Sequence, residues 1–337
     1  MALRLLSAAS GENAVVFSDE EFQALVEERG NTIKALKLEL VSRDLGSRFR
    51  LRLLQAEEHL ELGDDVAIVP PLVLKMVRLA FLPADEERDD EFIDACQEGR
   101  LEEVERRLHQ PQDPNTANTD GYTGLHGAAA AGHVDVVGIL LEAGASCDRA
   151  TSYEGYHKGI TPLHCAAAHD HLQVVRLLLQ AAASSNTADA EGIPALYLAA
   201  KIGDLELVRL LLEAGASCNQ ACSHGGTALH EAAVNRHLEM VHLLLQAGAT
   251  CDHAWVVDPV AGWTSLHWAA RCGYLDVVQL LVEFGATRDA RTRDGETPVE
   301  LAAKHGFQDV VDFLNVVELA AKHAPAKRLK REHVSES

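Results

Sequence analysis

The segment TSLHWAARCGYLDVVQLLVEFGA, residues 264–286, decides how most of the chain folds. It opens with a Leu-His-x-Ala-Ala run, turns at a glycine, continues with Leu and Val at helical spacing, and closes on a Gly-Ala pair. When other stretches are aligned on its histidine, the equivalent residues are His126, His164, Tyr197, His230, His267 and Glu300. Successive copies are 38, 33, 33, 37 and 33 residues apart, so the chain consists largely of one repeated structural unit.

Each copy predicts two helices. The first is short and rich in Ala, which lets a neighbouring helix approach closely, and the second carries Leu and Val at the 3.6-residue period. Neither helix can bury its apolar face alone, so adjacent copies must stack. A threonine precedes the first helix as a predicted N-cap, and a glycine ends the second helix in a left-handed conformation. These residues are Thr161, Thr227, Thr264 and Thr297, and Gly144, Gly215, Gly248 and Gly285.

The T-P-L-H-x-A pattern at a 33-residue period resembles the ankyrin repeat. The resemblance implies a mostly α, ankyrin-repeat solenoid over residues 91–323. The sequence FIDACQEGRLEEVERRL, from Phe92, has the charged exterior of an N-terminal cap, and the apolar stripe of the last copy continues towards His323 as a C-terminal cap. We expect residues 84–90 to be an acidic connector and residues 324–337 to be a disordered basic tail.

Composition limits the classes of partner. The chain has 337 residues and a formal net charge of −21, which disfavours nucleic acid and anionic membranes because both are bound through clustered Lys and Arg. We find no apolar run as long as a membrane span and no signal peptide. Together with an odd number of cysteines, seven, this predicts an intracellular, cytoplasmic protein. We expect a monomer without cofactors.

Residues 1–83 contain no repeat. Two strands are predicted near Leu3 and over residues 14–17, a helix from Thr32 to near Gly46, and two more strands over residues 49–54 and 72–81. This order, with the segments NTIKALKLEL, RLLQAEEHLELGDD and PLVLKMVRLAF, resembles the ubiquitin-like β-grasp domain, a small α+β fold.

The ubiquitin-like resemblance has two functional implications. The segment continues into more protein without a terminal Gly-Gly, so it cannot be conjugated to a substrate. The family's apolar docking patch maps to Leu54 and Val77, with Lys75 beside them, which implies docking on ubiquitin receptors or the proteasome. The alternative is that these are ordinary strand residues partly covered by the repeats.

The His and Cys residues do not form a recognisable catalytic or metal motif. The anchor histidines recur with the fold and are expected to bond neighbouring backbone. Two denser groups lack the paired C-x-x-C spacing of a zinc site. They are His164, Cys165, His169 and His171, and Cys218, Cys222, His224 and His230. Nucleotide-binding, hydrolase, metalloprotease and kinase motifs are also absent from the sequence, so we expect no enzymatic activity.

The two long steps between copies, of 38 and 37 residues, contain insertions around residues 152–158 and 255–259 and mark the predicted client-binding region. Insertions in repeat proteins map to loops on one face, often the binding face, and both insertions carry aromatic side chains, which are enriched at interface hot spots. In the ankyrin pattern, the residue before the Thr and the one after the His face a concave surface. The predicted binding residues are Tyr122, Tyr153, Tyr156, Ile160, Ile193, Leu198, Glu231, Trp255, Trp263 and Trp268.

Two interpretations of these aromatic residues remain open. If they face a partner, alanine at Trp263 or Tyr156 should weaken client binding and leave stability nearly intact. The alternative is that the insertions pack on neighbouring hairpins and that the tryptophan rings fill that seam.

As a whole, the sequence predicts a non-enzymatic interaction adaptor, in which the repeats hold a protein client and the ubiquitin-like segment recruits ubiquitin receptors or the proteasome. The other interpretation is a pure scaffold or inhibitor whose first segment only caps the repeat stack. A short basic cluster in the tail matches a nuclear import pattern. The alternative is that the cluster is only a solvated chain end. Its residues are Lys327, Arg328, Lys330 and Arg331.

Overall fold

The structure is a computed structural model. It describes residues 81–152 and 158–323, four β-strands within residues 1–80, and residues 21, 24, 25, 27, 36 and 37. The strands and residues 317–323 are described by their backbone alone. The chain divides into two compact units, Met1–Ala190 and Glu191–Ser337. This division falls between two repeats and not near residue 83, so the module boundary predicted there stays a prediction.

The first unit begins with a four-stranded sheet. Its strands are β1 (Leu3–Ser7), β2 (Asn13–Phe17), β3 (Leu51–Gln55) and β4 (Val73–Arg78), in the order β2-β1-β4-β3. β1 pairs antiparallel with β2 and parallel with β4, and β3 pairs antiparallel with β4. A strand is therefore present at each predicted place. Of the helix predicted from Thr32, Leu36 and Lys37 are helical and buried; the rest lies outside the described residues.

Helix pairs of the predicted kind follow in the first unit. They are α1 (Glu86–Gln97) with α2 (Leu101–His109), α3 (Gly124–Ala131) with α4 (Val134–Glu142), and α5 (Pro162–Ala168) with α6 (Leu172–Gln180). The first helices of the pairs pack side by side, and so do the second helices. Small residues of the first helices, such as Ala128 and Ala166, and branched residues of the second, such as Val137 and Leu178, are fully buried between them.

The second unit repeats the same arrangement. Its pairs are α7 (Ala195–Ile202) with α8 (Leu205–Glu213), α9 (Ala228–Val234) with α10 (Leu238–Gln246), α11 (Ser265–Cys272) with α12 (Leu275–Glu283), and α13 (Pro298–His305) with α14 (Gln308–His323). The long α14 confirms that the last second helix continues to His323. None of the helices in the described ranges is both long enough and apolar enough to cross a membrane.

Local hydrogen bonds explain where the first helices begin. Thr123 precedes α3, and its backbone N–H donates to Nδ1 of His126 at 3.2 Å. In return, the Thr123 side chain accepts the backbone N–H of that histidine, which completes a capping box. The same box precedes α5, α9 and α11, and Glu300 replaces the histidine before α13. The predicted threonine caps and the predicted backbone bonds of the histidines are therefore confirmed.

A ring at the start of a second helix packs on the glycine that ends the first helix of the preceding repeat. Gly132 has a φ of +77°, and a Cβ added to it would lie 2.6 Å from Nδ1 of His171. His171 also donates through Nε2 to the carbonyl of Ala130 at 3.0 Å. Equivalent pairs are Gly99 with His133, Gly203 with His237, and Gly273 with Phe307. A glycine–ring contact thus joins adjacent repeats at these four boundaries, whereas Asp170 and Arg236 take the place of the glycine at two others.

Two local features differ from the sequence prediction. The acidic connector predicted at residues 84–90 is largely helical, because α1 begins at Glu86 and Asp85 caps it by accepting the N–H of Arg88 at 3.0 Å. Carboxylates stabilise a helix N-terminus, so an acidic run fits a helix start as well as a linker. After α6, Ala182 (φ +64°) takes the place that a glycine has after four other second helices. The predicted positive φ is confirmed at Gly144, Gly215, Gly248 and Gly285.

Candidate protein-binding surface

The hairpins between repeats are joined by single backbone hydrogen bonds, each from an N–H of one hairpin to a carbonyl of the preceding one. These bonds align the hairpins along one side of each unit. In the first unit they join Ser152 to Asp120 and Ala190 to Lys158, both at 2.9 Å; in the second they join Ser223 to Glu191, Val256 to His224 and Arg293 to Ala261, at 2.7 to 2.9 Å.

The first insertion is closed at its base. Thr151 donates its N–H to the carbonyl of Ile160 and accepts the N–H of Gly159, both at 2.9 Å. Ile160 is half-buried. Two predicted binding residues of this insertion, Tyr153 and Tyr156, lie outside the described residues, so their role stays a prediction.

The second insertion is closed in the same way. Trp255 donates its N–H to the carbonyl of Trp263 at 2.9 Å and accepts the N–H of Gly262 at 2.7 Å. Beyond this closure the chain forms a loop in which Val256 is 66% and Val257 is 40% exposed. The exposed apolar side chains of this loop are therefore its valines and not its tryptophan.

Two of the three tryptophans fill the seam between hairpins. Trp255 is half-buried, with its ring 6.1 Å from that of His230, and a Cβ added to Gly226 would lie 2.9 Å from the indole. Trp263 is only 7% exposed, and its ring lies 6.2 Å from that of His267. This packing supports the interpretation in which the tryptophan rings fill the seam, because the residue before the cap folds back over the capping histidine. Binding of a partner by Trp263 stays a prediction.

Tyr122 occupies the same position in the first unit and behaves in the same way. Its half-buried ring is 5.1 Å from that of His126, and burial raises the pKa of its hydroxyl to about 12. Ile193, at the equivalent position in the second unit, is also half-buried. Tyr122 and Trp263 therefore cover their capping histidines, and all three positions before the cap offer a partner only part of their surface.

The capping histidines are structural. Burial lowers the pKa of His126 and of His230 to about 4, and it also lowers the pKa of His267. In His126, Nδ1 accepts the N–H of Thr123 and Nε2 donates to the carbonyl of Ile160 at 3.0 Å, so both ring nitrogens are used. Among the described side chains, no group of three or more His, Cys, Asp or Glu is arranged to hold a metal ion.

An aromatic–arginine cluster lies on α11. Trp268 is half-buried, and its ring centroid is 4.6 Å from that of Trp263. The guanidinium carbon of the exposed Arg271 is 5.4 Å from the Trp263 ring and 5.6 Å from the Trp268 ring, within cation–π distance of both. Sequence reasoning missed Arg271, although its spacing of three residues from Trp268 places both on one helix face.

Neighbouring first helices of the second unit extend this cluster into a surface. The predicted residue Leu198 on α7 is half-buried, and Glu231 on α9 accepts the hydroxyl of Tyr197 at 2.5 Å. We define the first-helix surface of the second unit as Leu198, Lys201, Ile202, Glu231, Trp268, Arg271 and Lys304. Three of the predicted residues are thus brought onto side-by-side helices, with four that the sequence prediction did not include.

Comparisons with known proteins agree with this fold. A family model described as ankyrin repeats (3 copies) matches residues 92–190, 181–254 and 251–322, well over half of the chain. The crystal structure of the human ASB11 ankyrin repeat domain is 28% identical, with a TM-score of 0.57, and the match covers 66% of this chain and 96% of that one.

Curated relatives match over shorter stretches. Human Apoptosis-stimulating of p53 protein 2 is 36% identical over 61 residues, which are 18% of this chain and 5% of that protein. Human Ankyrin repeat domain-containing protein 39 is 40% identical over 57 residues, 17% of this chain and 31% of that protein. This chain therefore matches less than a third of the length of either relative. The family model, the helix pairs and the capping boxes together show that the chain belongs to the ankyrin-repeat family.

Proposed function

We propose that this chain is a non-enzymatic adaptor whose ankyrin repeats hold a protein client. Ankyrin repeats are a protein–protein interaction scaffold, and the observation that carries the proposal is the first-helix surface of the second unit. On α11 it presents Trp268 and Arg271, two residue types enriched at interface hot spots, and on α7 it presents Ile202, which is 41% exposed. The client is held by this surface and by the hairpin loops.

The strand order supports a ubiquitin-like role for the first 83 residues. Its first and last strands pair in parallel at the centre of the sheet, and each pairs antiparallel with an edge strand, as the β-grasp resemblance implies. Leu54 lies opposite Lys75 in the β3–β4 register, and Val77 lies two residues further along β4. Because side chains alternate along a strand, these three positions share one face of the sheet. We propose this face as the docking patch for ubiquitin receptors or the proteasome.

Crosslinking followed by affinity capture of the intact chain from cells tests both roles. Trp268→Ala should reduce recovery of the client, whereas Leu54→Ala should reduce recovery of ubiquitin-receptor or proteasome subunits and leave the client bound. His242→Ala, at an exposed position on α10, is the matched control. If the wild type and Leu54→Ala both capture the client and neither captures ubiquitin-receptor or proteasome subunits, the result would favour the alternative of a scaffold or inhibitor.

The proposed location is intracellular, with import into the nucleus through the basic tail. All seven cysteines are free thiols, which supports a reducing compartment. Deleting residues 327–331 from a fluorescent fusion of the whole chain should shift it towards the cytoplasm. An unchanged distribution would contradict import through this cluster.

A further inference from the structure

We propose that the first-helix surface of the second unit selects an acidic segment of its partner that also carries apolar side chains. The inference rests on the proposed client-binding function and specifies the chemistry of the client. It is carried by the charges of this surface, by the Arg271 cluster and by the apolar side chains between the basic ones.

Basic side chains outnumber acidic ones on this surface, since it carries Lys201, Arg271 and Lys304 and one carboxylate, Glu231. Glu231 accepts the neutral Tyr197 hydroxyl, and the neighbouring Glu296 holds Lys304 at 2.8 Å. Lys201 and Arg271 are exposed, and neither has a carboxylate within ion-pair distance among the residues that the structure describes. The positive charges of Lys201 and Arg271 therefore favour a partner that carries carboxylates.

Arg271 is positioned in advance for a carboxylate. Stacking on two indole rings limits its side-chain freedom, so less entropy is lost when a partner binds. A guanidinium keeps its N–H donors in one plane and matches a carboxylate through two parallel hydrogen bonds. Arg236 of the same unit shows the contrast, because its guanidinium already holds Asp276 at 3.1 Å.

Apolar side chains lie between the basic groups. Ile202 and Leu198 on α7 and Trp268 on α11 retain exposed surface. Packed helices are about 8–10 Å apart, so the surface from α7 to α13 spans about 25–30 Å, which an extended segment of about nine residues would cover. A short segment that alternates acidic and apolar residues thus has the length and the chemistry of this surface.

The net charge of the whole chain opposes this preference only at long range. With a formal charge of −21, the chain would attract basic partners from a distance. At physiological ionic strength, exposed charges further apart than about 8 Å are largely screened. Direct contacts with Lys201 and Arg271 therefore decide which segment stays bound.

Selection of phage-displayed random dodecapeptides on the intact chain tests the inference. Selected peptides should be enriched in Asp and Glu together with Leu, Ile or Phe. Fluorescence anisotropy of the synthesised peptides should show that Arg271→Glu weakens binding at least tenfold. Arg209→Glu makes the same charge change at an exposed position on α8, and it should alter the dissociation constant less than twofold. Far-UV circular dichroism of each variant checks that the fold is retained.

Three other outcomes are informative. Selected peptides rich in Lys and Arg that lose affinity in Trp268→Ala would overturn the acidic preference and leave the client-binding role intact. Peptides that bind wild type, Arg271→Glu and Trp268→Ala equally would place binding elsewhere and contradict both proposals for this surface. Failure to select any peptide would overturn the inference, whereas capture of the client by the intact chain would still support the proposed function.

Discussion

Acid should destabilise the first unit through His126, and a substitution that cannot titrate should remove this contribution. The unfolded-state pKa of a histidine is 6.5, and burial lowers the folded-state pKa of His126 to about 4. Protonation also places an N–H on Nδ1, the atom that accepts the N–H of Thr123. Because the folded pKa is the lower one, the stabilising contribution is fully present above about pH 6.5 and is lost as pH falls towards 4.

The size of the effect follows from the two pKa values. Between pH 7.5 and pH 5 the unfolded histidine gains its proton while most of the folded population does not. The free energy of unfolding should fall by about 2 kcal/mol through this one residue, and by about 3 kcal/mol once the pH is below 4. His230, with the same folded pKa, should add a similar term in the second unit.

Urea denaturation followed by far-UV circular dichroism, at pH 7.5 and at pH 5, measures this difference. In His126→Gln the amide oxygen can still accept the N–H of Thr123, as in an ordinary capping box, but it does not titrate. The loss of unfolding free energy on acidification should be about 2 kcal/mol smaller in His126→Gln than in the wild type. His242→Gln, at an exposed position, should match the wild type. An equal acid loss in wild type and His126→Gln would refute the reasoning.

Two further predictions compare matched pairs in urea at pH 7.5. Trp263→Ala should lower the free energy of unfolding by about 3 kcal/mol or more, since the residue is only 7% exposed. Trp268→Ala, at a half-buried position, should cost less, and the reverse order would contradict the seam packing. Gly132→Ala and Gly144→Ala both put a side chain at positive φ, which should lower the free energy of unfolding by about 1–2 kcal/mol in each case. Only the side chain added at Gly132 would also meet the His171 ring. Gly132→Ala should therefore cost more, and equal losses would mean that the ring moves aside freely.

The repeat fold could be predicted because its signals are local. Thr123 and His126 are three residues apart, so their capping box is visible in sequence. For Trp263 the sequence left two interpretations open, because the burial of its ring depends on how an insertion closes on itself and where the ring then folds. The start of α1 was missed because an acidic run is compatible with a linker and with a helix N-terminus. Arg271 was not among the predicted binding residues, because its position over two indole rings depends on how Trp263 and Trp268 pack against each other in the folded chain.

The glycine–ring contacts between adjacent repeats limit how the number of repeats in such a chain can change. Each contact uses a glycine from one repeat and a ring from the next, as in Gly132 with His171. Loss of the repeat that carries both Gly132 and His133 would bring Gly99 to His171, which is again a complete pair, whereas a change at one member alone creates a clash or a gap. At a boundary of this kind, a whole repeat can therefore be gained or lost without removing the contact that joins its neighbours.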